Sequence, residues 1–331
     1  MIIQVRKNIP QHHIDSLLEL VSGIAVDMQD NKYIITPSGI KTLPGQFDDI
    51  TQHHWVFDSD IQLSDPAFMT KRAVNLGHGF IGGDLRNTVL IFGPCAVESA
   101  EQINSSAVLV KSLGHKILRA GSFKPRTSPY SFQGMGLEGL RLLRETGDKY
   151  GLKIITEVRD ATHVEEVIAY GDIIQIGAKA MYDHGILRRC AKTDKPVLIK
   201  RGFGTTLQEF VQAAEFILSG GNENVILCER GIRTFESKTR FTLDLCGVAW
   251  LKNNTNLPVV VDPSHAIGYA YGVPDLARAC MAMGVDGLLI EVHPNPKEAR
   301  SDAAQQLDHQ SFLQLHESLK TVANAVNRNI I

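Results

Sequence analysis

The hydrophobic positions of this chain follow two rhythms. Over the first sixty or so residues they alternate, or recur at helical spacing. "IIQVR" reads as a strand, and "IPQHHIDSLLELVSG" sets Ile14, Leu17, Leu18, Leu20 and Val21 at helical spacing before a glycine stop. "IAVDM" and "KYIITP" read as a hairpin across "QDN", "IKTLPGQF" as a short helix and "HHWVFD" as a last strand. The order β-α-β-β-α-β predicts a small ferredoxin-like α+β domain over residues 1–62. Residues 63–87 read as a linker and a short hairpin, the latter at "GFIGGDLRN".

From residue 88 the rhythm changes. Eight short apolar runs follow: "TVLIFGP", "KILRAG", "KIITEV", "IIQIGA", "PVLIKRG", "VILCERG", "PVVVDPSH" and "GLLIEVH". Helix-length segments follow them at 99–113, 136–150, 162–170, 182–192, 205–219, 238–253, 273–284 and 303–325. The runs are continuous rather than alternating, as in parallel strands covered on both faces. Eight such units over ~240 residues predict a (β/α)8 TIM barrel across 88–331. The alternative is a doubly wound open sheet. That fold usually places a glycine-rich phosphate turn after its first strand, and "GPCAVESAE" is not one.

The distinctive side chains sit at or just past the C-terminal ends of these strands: Cys95, Arg119, Glu157, Lys179, Lys200, Arg230, His265 and Glu291. A barrel brings those ends to one mouth, where active sites lie. Closure makes strands one, seven and eight neighbours, so Cys95, His265, Glu291 and Asp302 can meet. A thiolate, an imidazole and two carboxylates suit one borderline divalent ion such as Mn²⁺, Fe²⁺, Co²⁺ or Zn²⁺. Arg119, Lys124, Lys179, Lys200 and Arg230 would make a pocket that repels itself unless a small polyanion fills it. Glu157 among them can tune a lysine or position a water. The loop "RAGSFKPRTSPYSFQGMG" carries more cations on a proline-stiffened backbone. Arg126, Thr127 and Ser128 there suit a second phosphate.

Composition narrows the partners. Apolar content of 44% and charged content of 21% are those of an ordinary globular protein, and a net charge of −2 gives no basic field for nucleic acid. No apolar run approaches the ~20 residues of a membrane helix, so no membrane partner is expected. "MIIQVRKNIPQHH" lacks the apolar core of a signal peptide, and five scattered cysteines read as reduced thiols. A cytoplasmic location is the expectation.

The same residues carry a family resemblance. "GPCAVES", "LRAGSFKPRTSPYSFQG", "TEVRD", "QIGA", "PVLIKRGF", "ILCERGIRTFE", "VVDPSH" and "EVHPNP…SD", in order across about residues 70 to 325, resemble 3-deoxy-D-arabino-heptulosonate 7-phosphate (DAHP) synthase. The resemblance is to the subtype with a ferredoxin-like or ACT-like N-terminal extension. It implies a metal-dependent condensation of phosphoenolpyruvate (PEP) with erythrose 4-phosphate and water, the first step of the shikimate pathway. It implies PEP against Arg119, Lys124, Ala178, Lys179, Lys200 and Arg230. Erythrose 4-phosphate would lie against Arg126, Thr127, Ser128 and Asp262. Metal ligands would be Cys95, His265, Glu291 and Asp302, with Lys124 and Glu157 handling protons beside the catalytic Cys95 and His265. It further implies a homotetramer and inhibition by tyrosine or phenylalanine at the N-terminal domain. The chain departs from the family at Lys179, where arginine is usual, at Phe241 for asparagine, at Tyr269 where the family tends to place basic residues, and at Ala303 for glycine. These departures open two alternatives: a paralogue using another phosphorylated aldehyde, or a non-catalytic sensor.

Overall fold

The structure, a computed structural model, describes residues 1–124 and 128–331. Strand β1 (Ile2–Val5) leads into helix α1 (Gln11–Leu20), then β2 (Ile24–Met28), β3 (Asn31–Ile35), a 3₁₀ turn (Gly45–Ile50) and β4 (Thr51–Trp55). The sheet order is β2-β3-β1-β4, all antiparallel, which is the ferredoxin-like arrangement. Gln29 and Asp30 both take positive φ, +48° and +63°, as a tight hairpin turn between β2 and β3 requires. The expected second helix at "IKTLPGQF" is instead that 3₁₀ turn, starting after Pro44. Alternation along β1 divides the sheet's two faces. Met1, Ile3 and Val5 pack with Ile14, Leu17 and Phe47, whereas Ile2, Tyr33 and Ile35 join the apolar layer of the barrel.

A hairpin of β5 (Ala73–Asn75) and β6 (Phe80–Gly82) follows. It begins earlier than "GFIGGDLRN" suggests, because Val74 and Ile81 must point together into the barrel interior. The barrel strands are β7 (Asn87–Gly93), β8 (Ile117–Arg119), β9 (Lys153–Val158), β10 (Ile173–Ile176), β11 (Val197–Lys200), β12 (Val225–Glu229), β13 (Val259–Val261) and β14 (Gly287–Glu291). All neighbours are parallel, and β14 pairs with β7 from Gly287↔Val89 to Glu291↔Gly93, closing the ring. Val89 and Ile91 face the interior with Ile117, Ile155, Leu198 and Leu289. Leu90 and Phe92 face the surrounding helices.

Those helices are α2 (Ala100–Ser112), α3 (Gly136–Tyr150), α4 (Val164–Tyr170), α5 (His184–Cys190), α6 (Leu207–Leu218), α7 (Leu245–Asn254), α8 (Pro263–Ile267), α9 (Val273–Ala282) and α10 (His309–Ala325). A final strand β15 (Asn329–Ile330) adds to β7. Sequence fixes several starts. Ser99 caps α2, Thr206 and Glu209 form a reciprocal capping box on α6, and Asp244 and Asp308 cap α7 and α10. Two expected helices therefore start later than the pattern at 238–253 and 303–325 suggests, and the short α8 was not foreseen. In both cases the displaced residues form the barrel mouth.

The linker is anchored by α6. Glu215 accepts hydrogen bonds from the backbone N–H groups of Gln62, Leu63 and Ser64, and from the Ser64 hydroxyl. Its carboxylate is buried, so these four donors offset its desolvation.

Beneath the barrel wall, the Nε2 atoms of His115 and His316 lie 2.9 Å apart, and both rings are buried. Burial, with the His316 ring beside it, lowers the His115 pKa from 6.5 to about 4, and burial lowers that of His316 as well. The unfolded chain therefore takes up a proton at higher pH than the folded one. Stability is intact above about pH 6.5 and falls toward pH 4, with up to about 3 kcal/mol from His115. Urea midpoints measured across this window should slope less in His115→Gln than in the parent chain. An unchanged slope would place the acid sensitivity elsewhere.

Candidate active site

A cavity of about 330 Å³ opens at the C-terminal ends of the strands. Lys124, Glu157, Ala178, Lys179, Lys200, Phe203, Arg230, Arg233, Arg240, Phe241, His265 and Asp302 line it. Among the described residues that is six cationic side chains against two carboxylates.

Its floor is a chain of buried charges. Lys200 Nζ lies 2.6 Å from Asp262 Oδ2, which also meets His265 Nδ1 at 2.7 Å. His265 Nε2 lies 3.5 Å from Glu291 Oε1, and Arg119 Nη1 donates to that same oxygen at 2.5 Å. Asp262 Oδ1 accepts from the His265 backbone N–H at 3.0 Å, so one carboxylate fixes both ring and backbone. With Nδ1 facing a carboxylate, the imidazole presents Nε2 to the cluster. Burial opposes the Asp262 charge, yet His265 and Lys200 hold its pKa well below the carboxylate range. Burial lowers the pKa of His265 against the pull of Asp262 and Glu291.

Cys95 completes the group. Its Sγ lies 3.2 Å from Asp302 Oδ2, and one ligand atom each from Cys95, Glu291 and Asp302 fall within 4.8 Å of one another. Burial and the neighbouring carboxylates push the thiol up to about 12. Gln306 Oε1 accepts from Cys95 N at 2.9 Å, and Gln305 Nε2 donates to Glu291 Oε2 at 2.6 Å. Gln305 in turn accepts from Arg240 at 2.7 Å. Two carboxylates converging on a buried thiol, with an oriented imidazole beside them, form a donor set that fits a borderline divalent cation.

Lys124 Nζ donates to Cys95 O at 3.4 Å. Burial works against its charge, but Cys95, Glu157, Glu291 and Asp302 together raise its pKa above the ordinary lysine value. Lys124 is thus a standing cation. Glu157, half-buried, accepts from Gln175 Nε2 at 2.5 Å. Arg230 is almost fully buried, whereas Lys179 is exposed at the rim.

Several expectations meet a different placement. Arg119, expected against PEP, lies beneath the cavity, engaged with Glu291 and with Pro94 O at 3.1 Å. Asp262, expected against the second substrate, is fully buried within the floor, where it meets His265 and Lys200. Ser128 is exposed and accepts from Tyr130 N at 3.3 Å, outside the cavity lining. Arg126 and Thr127 lie outside the described residues. Tyr269 stacks on Tyr271 with centroids 5.8 Å apart and faces solvent. Sequence reading missed Gln175, Gln305, Phe203, Arg233 and Arg240. Arg233 and Phe203 follow strand ends in "ERGIR" and "KRGF", which is the one signal that could have found them.

A (β/α)8 barrel with this mouth defines a class: an enzyme that handles small phosphorylated anions beside an acid–thiol–imidazole cluster. Within that class, the chain belongs to the DAHP synthetase I family, whose model matches residues 61–328. It is 45% identical over 253 residues to a phospho-2-dehydro-3-deoxyheptonate aldolase of Thermotoga maritima, covering 76% of this chain and 73% of that one. It is 34% identical over 264 residues to a 2-dehydro-3-deoxyphosphooctonate aldolase of Bordetella petrii, covering 72% of this chain and 92% of that one. The crystal structure of a DAHP synthase from Thermotoga maritima aligns with a TM-score of 0.81 at 36% identity, covering 100% of this chain and 99% of that one. A truncated form of the Thermotoga maritima 3-deoxy-D-arabino-heptulosonate 7-phosphate synthase covers 81% of this chain and 98% of itself, with a TM-score of 0.76 at 40% identity.

The base of the loop that carries Lys124 is laced to its return arm. Lys124 N donates to Gln133 O and Gly136 N to Ser122 O, both at 2.9 Å. Gly134 has φ +92°, and a Cβ there would lie 2.1 Å from Ser122 O. Gly134→Ala must therefore displace the Ser122–Lys124 segment. A drop of about a hundredfold in kcat/KM is expected, with the melting temperature little changed, since ångström-scale misplacement costs that much. Steady-state kinetics beside a thermal melt check this.

Proposed function

We propose that the mouth condenses PEP with erythrose 4-phosphate and water, releasing DAHP and inorganic phosphate, as the first step of aromatic amino acid biosynthesis. The observation that carries this reading is the meeting of Cys95, Glu291 and Asp302, with His265 Nε2 3.5 Å from Glu291 Oε1, beside buried cations. A divalent ion held by those four residues (Mn²⁺, Fe²⁺, Co²⁺ or Zn²⁺) would supply a Lewis acid for the aldehyde carbonyl.

The remaining work belongs to the chain. Arg230, Lys200, Lys179 and the Ala178 backbone turn take the PEP anion, and Lys124, charged at neutral pH, neutralises it further. Arg119 acts through Glu291, holding that carboxylate beneath the site. Arg126 and Thr127 take the aldehyde's phosphate. C3 of PEP bonds to the aldehyde carbon as the C2=C3 double bond opens, the aldehyde oxygen takes a proton to become a hydroxyl, and water adds at C2. The C2 hydroxyl then loses its proton as the C2–O bond to phosphate breaks, leaving a C2 ketone and inorganic phosphate. Glu157 and Lys124 handle the protons on the water side, and the two protons that water loses go in the end to the aldehyde oxygen and the departing phosphate. Asp262 keeps Nε2 of His265 turned toward the cluster.

The N-terminal sheet supports a regulatory role for the first domain, with a tyrosine- or phenylalanine-sized effector. A homotetrameric, cytoplasmic enzyme accords with the family. A second acceptor class, five-carbon aldehyde phosphates, has the support of the 34% relative, a 2-dehydro-3-deoxyphosphooctonate aldolase. The 45% relative favours the four-carbon aldehyde.

The purified chain should consume PEP with erythrose 4-phosphate, lose the activity in EDTA, and regain it with Mn²⁺ or Zn²⁺. Cys95→Ser should lower bound metal, read by elemental analysis, and cut turnover by at least about a hundredfold. Full metal content and full activity in that variant would remove the ligand assignment. Turnover with arabinose 5-phosphate alone would shift the acceptor to five carbons. Separately, added tyrosine or phenylalanine should slow the full-length enzyme. Indifference to both would remove the effector role.

A further inference from the structure

Arg230 differs from the other buried cations of the mouth. Its side chain is about 5% exposed, yet its Nε and Nη1 have no hydrogen-bond partner among the described residues. Arg119, Lys200 and Arg201 are instead tied to Glu291, Asp262 and the Glu229–Asp244 pair. Something other than a hydrogen bond must hold the Arg230 plane.

That something is an aromatic face. The Arg230 Cζ lies 4.5 Å from the centroid of the Phe241 ring. Phe241 stacks on Phe203 at 5.3 Å with 25° between planes, and Arg233 Cζ covers Phe203 at 4.8 Å. Arg230, Phe241, Phe203 and Arg233 thus form a run of guanidinium and ring contacts, with Arg240 Cζ also 5.9 Å from the Phe241 centroid. The backbone builds it. Ile232 and Thr242 form an antiparallel bridge, Arg233 N donates to Phe203 O at 2.7 Å, and Phe241 N donates to Ala266 O at 2.8 Å. Gly231, at φ +100°, backs onto Phe241 and Ala266: a Cβ there would lie 2.7 Å from Phe241 Cβ and 3.0 Å from Ala266 Cα, so no side chain fits at that position.

A guanidinium carries its donors at the edge of its plane. A carboxylate partner would hold the plane but occupy those donors. A ring face holds it through the π-cloud and leaves the edge unspent. We propose that Phe241 is a positioning residue for PEP binding, holding Arg230 flat in the cavity so that its N–H groups stay free for the anion. This rests on the assignment of Arg230 to that anion.

The test compares F241L, which keeps apolar bulk without a ring face, with F241Y, which keeps the face. F241M serves if F241L does not fold. The readouts are PEP binding by calorimetry with no aldehyde present, and KM and kcat for each substrate. F241L should weaken PEP binding and raise its KM on the order of tenfold, with kcat and the aldehyde KM within about threefold. F241Y should restore PEP binding. In an R230Q background, F241L should add little further loss. Normal PEP binding by F241L, an effect confined to the aldehyde KM, failure of F241Y to rescue, or full additivity with R230Q would each overturn the proposal. Normal PEP binding by R230Q alone would instead overturn the anion assignment on which it stands.

Discussion

A line of alternating charge runs across the floor of the barrel: Lys200, Asp262, His265, Glu291, Arg119. These residues come from β11, the turn after β13, the end of β14 and the end of β8. Only a closed ring brings them into line, because β14 must meet β7 before Glu291 can reach a residue of β8. Removing one member would leave its neighbour as an uncompensated buried ion, which costs several kcal/mol. The line therefore constrains every strand that contributes to it. It also sets the chemistry. Asp262 grips His265 through Nδ1, so Nε2 faces Glu291, and the cluster suits a cation before any cation arrives.

How much of this could be read from the sequence depends on what produces each feature. The eight strands were legible because burial on both sides demands continuous apolar runs, as Val89 through Phe92 show. The mouth was legible because charged residues directly after such runs have nowhere else to go. The helix boundaries at 238–253 and 303–325 were not. "SKTRFTLD" contains no helix breaker, yet pairing of Thr242 with Ile232 draws it into the mouth, and only Asp244 restarts a helix. "AAQQL" has strong helix formers, yet Gln305 and Gln306 are recruited to Glu291 and to Cys95 N, and Asp308 begins α10 afterwards. Local propensity yielded to side chains required elsewhere. The role of Asp262 was obscured for a different reason. Sequence adjacency to His265 says nothing about which of the two faces the cavity.

The N-terminal domain is joined to the barrel by more than a tether. Phe68 meets Tyr33 and Trp55 edge-to-face at 5.4 and 5.2 Å, Tyr33 and Trp55 lie tilted at 6.4 Å, and the three extend the apolar layer outside the barrel. Glu215 clamps the linker backbone from α6, and Gln29 at the β2–β3 turn reaches Glu223, which also pairs with Arg72. The contacts of Glu215 and Glu223 converge on α6 and the turn that follows it. The same helix begins at the Thr206 capping box, a few residues past Lys200 and Phe203. One rigid helix therefore has its outer end bolted to the first domain and its inner end beside the cavity wall.

The cations of the mouth divide by how they are held. Arg119, Lys200 and Arg201 are bound by carboxylates and build the floor and the Glu229 turn beneath it. Arg230 is held by a ring, and Lys124 by a backbone carbonyl at 3.4 Å, a long and therefore weak bond. Both arrangements fix position without neutralising charge. The difference matters because an incoming phosphate must displace whatever already satisfies the donors it needs. A carboxylate at Arg230 would have to be expelled into a desolvated cavity, whereas an aromatic face stays in place when the anion binds. Position and availability are thus supplied by different neighbours, and Phe241 supplies the first without competing for the second.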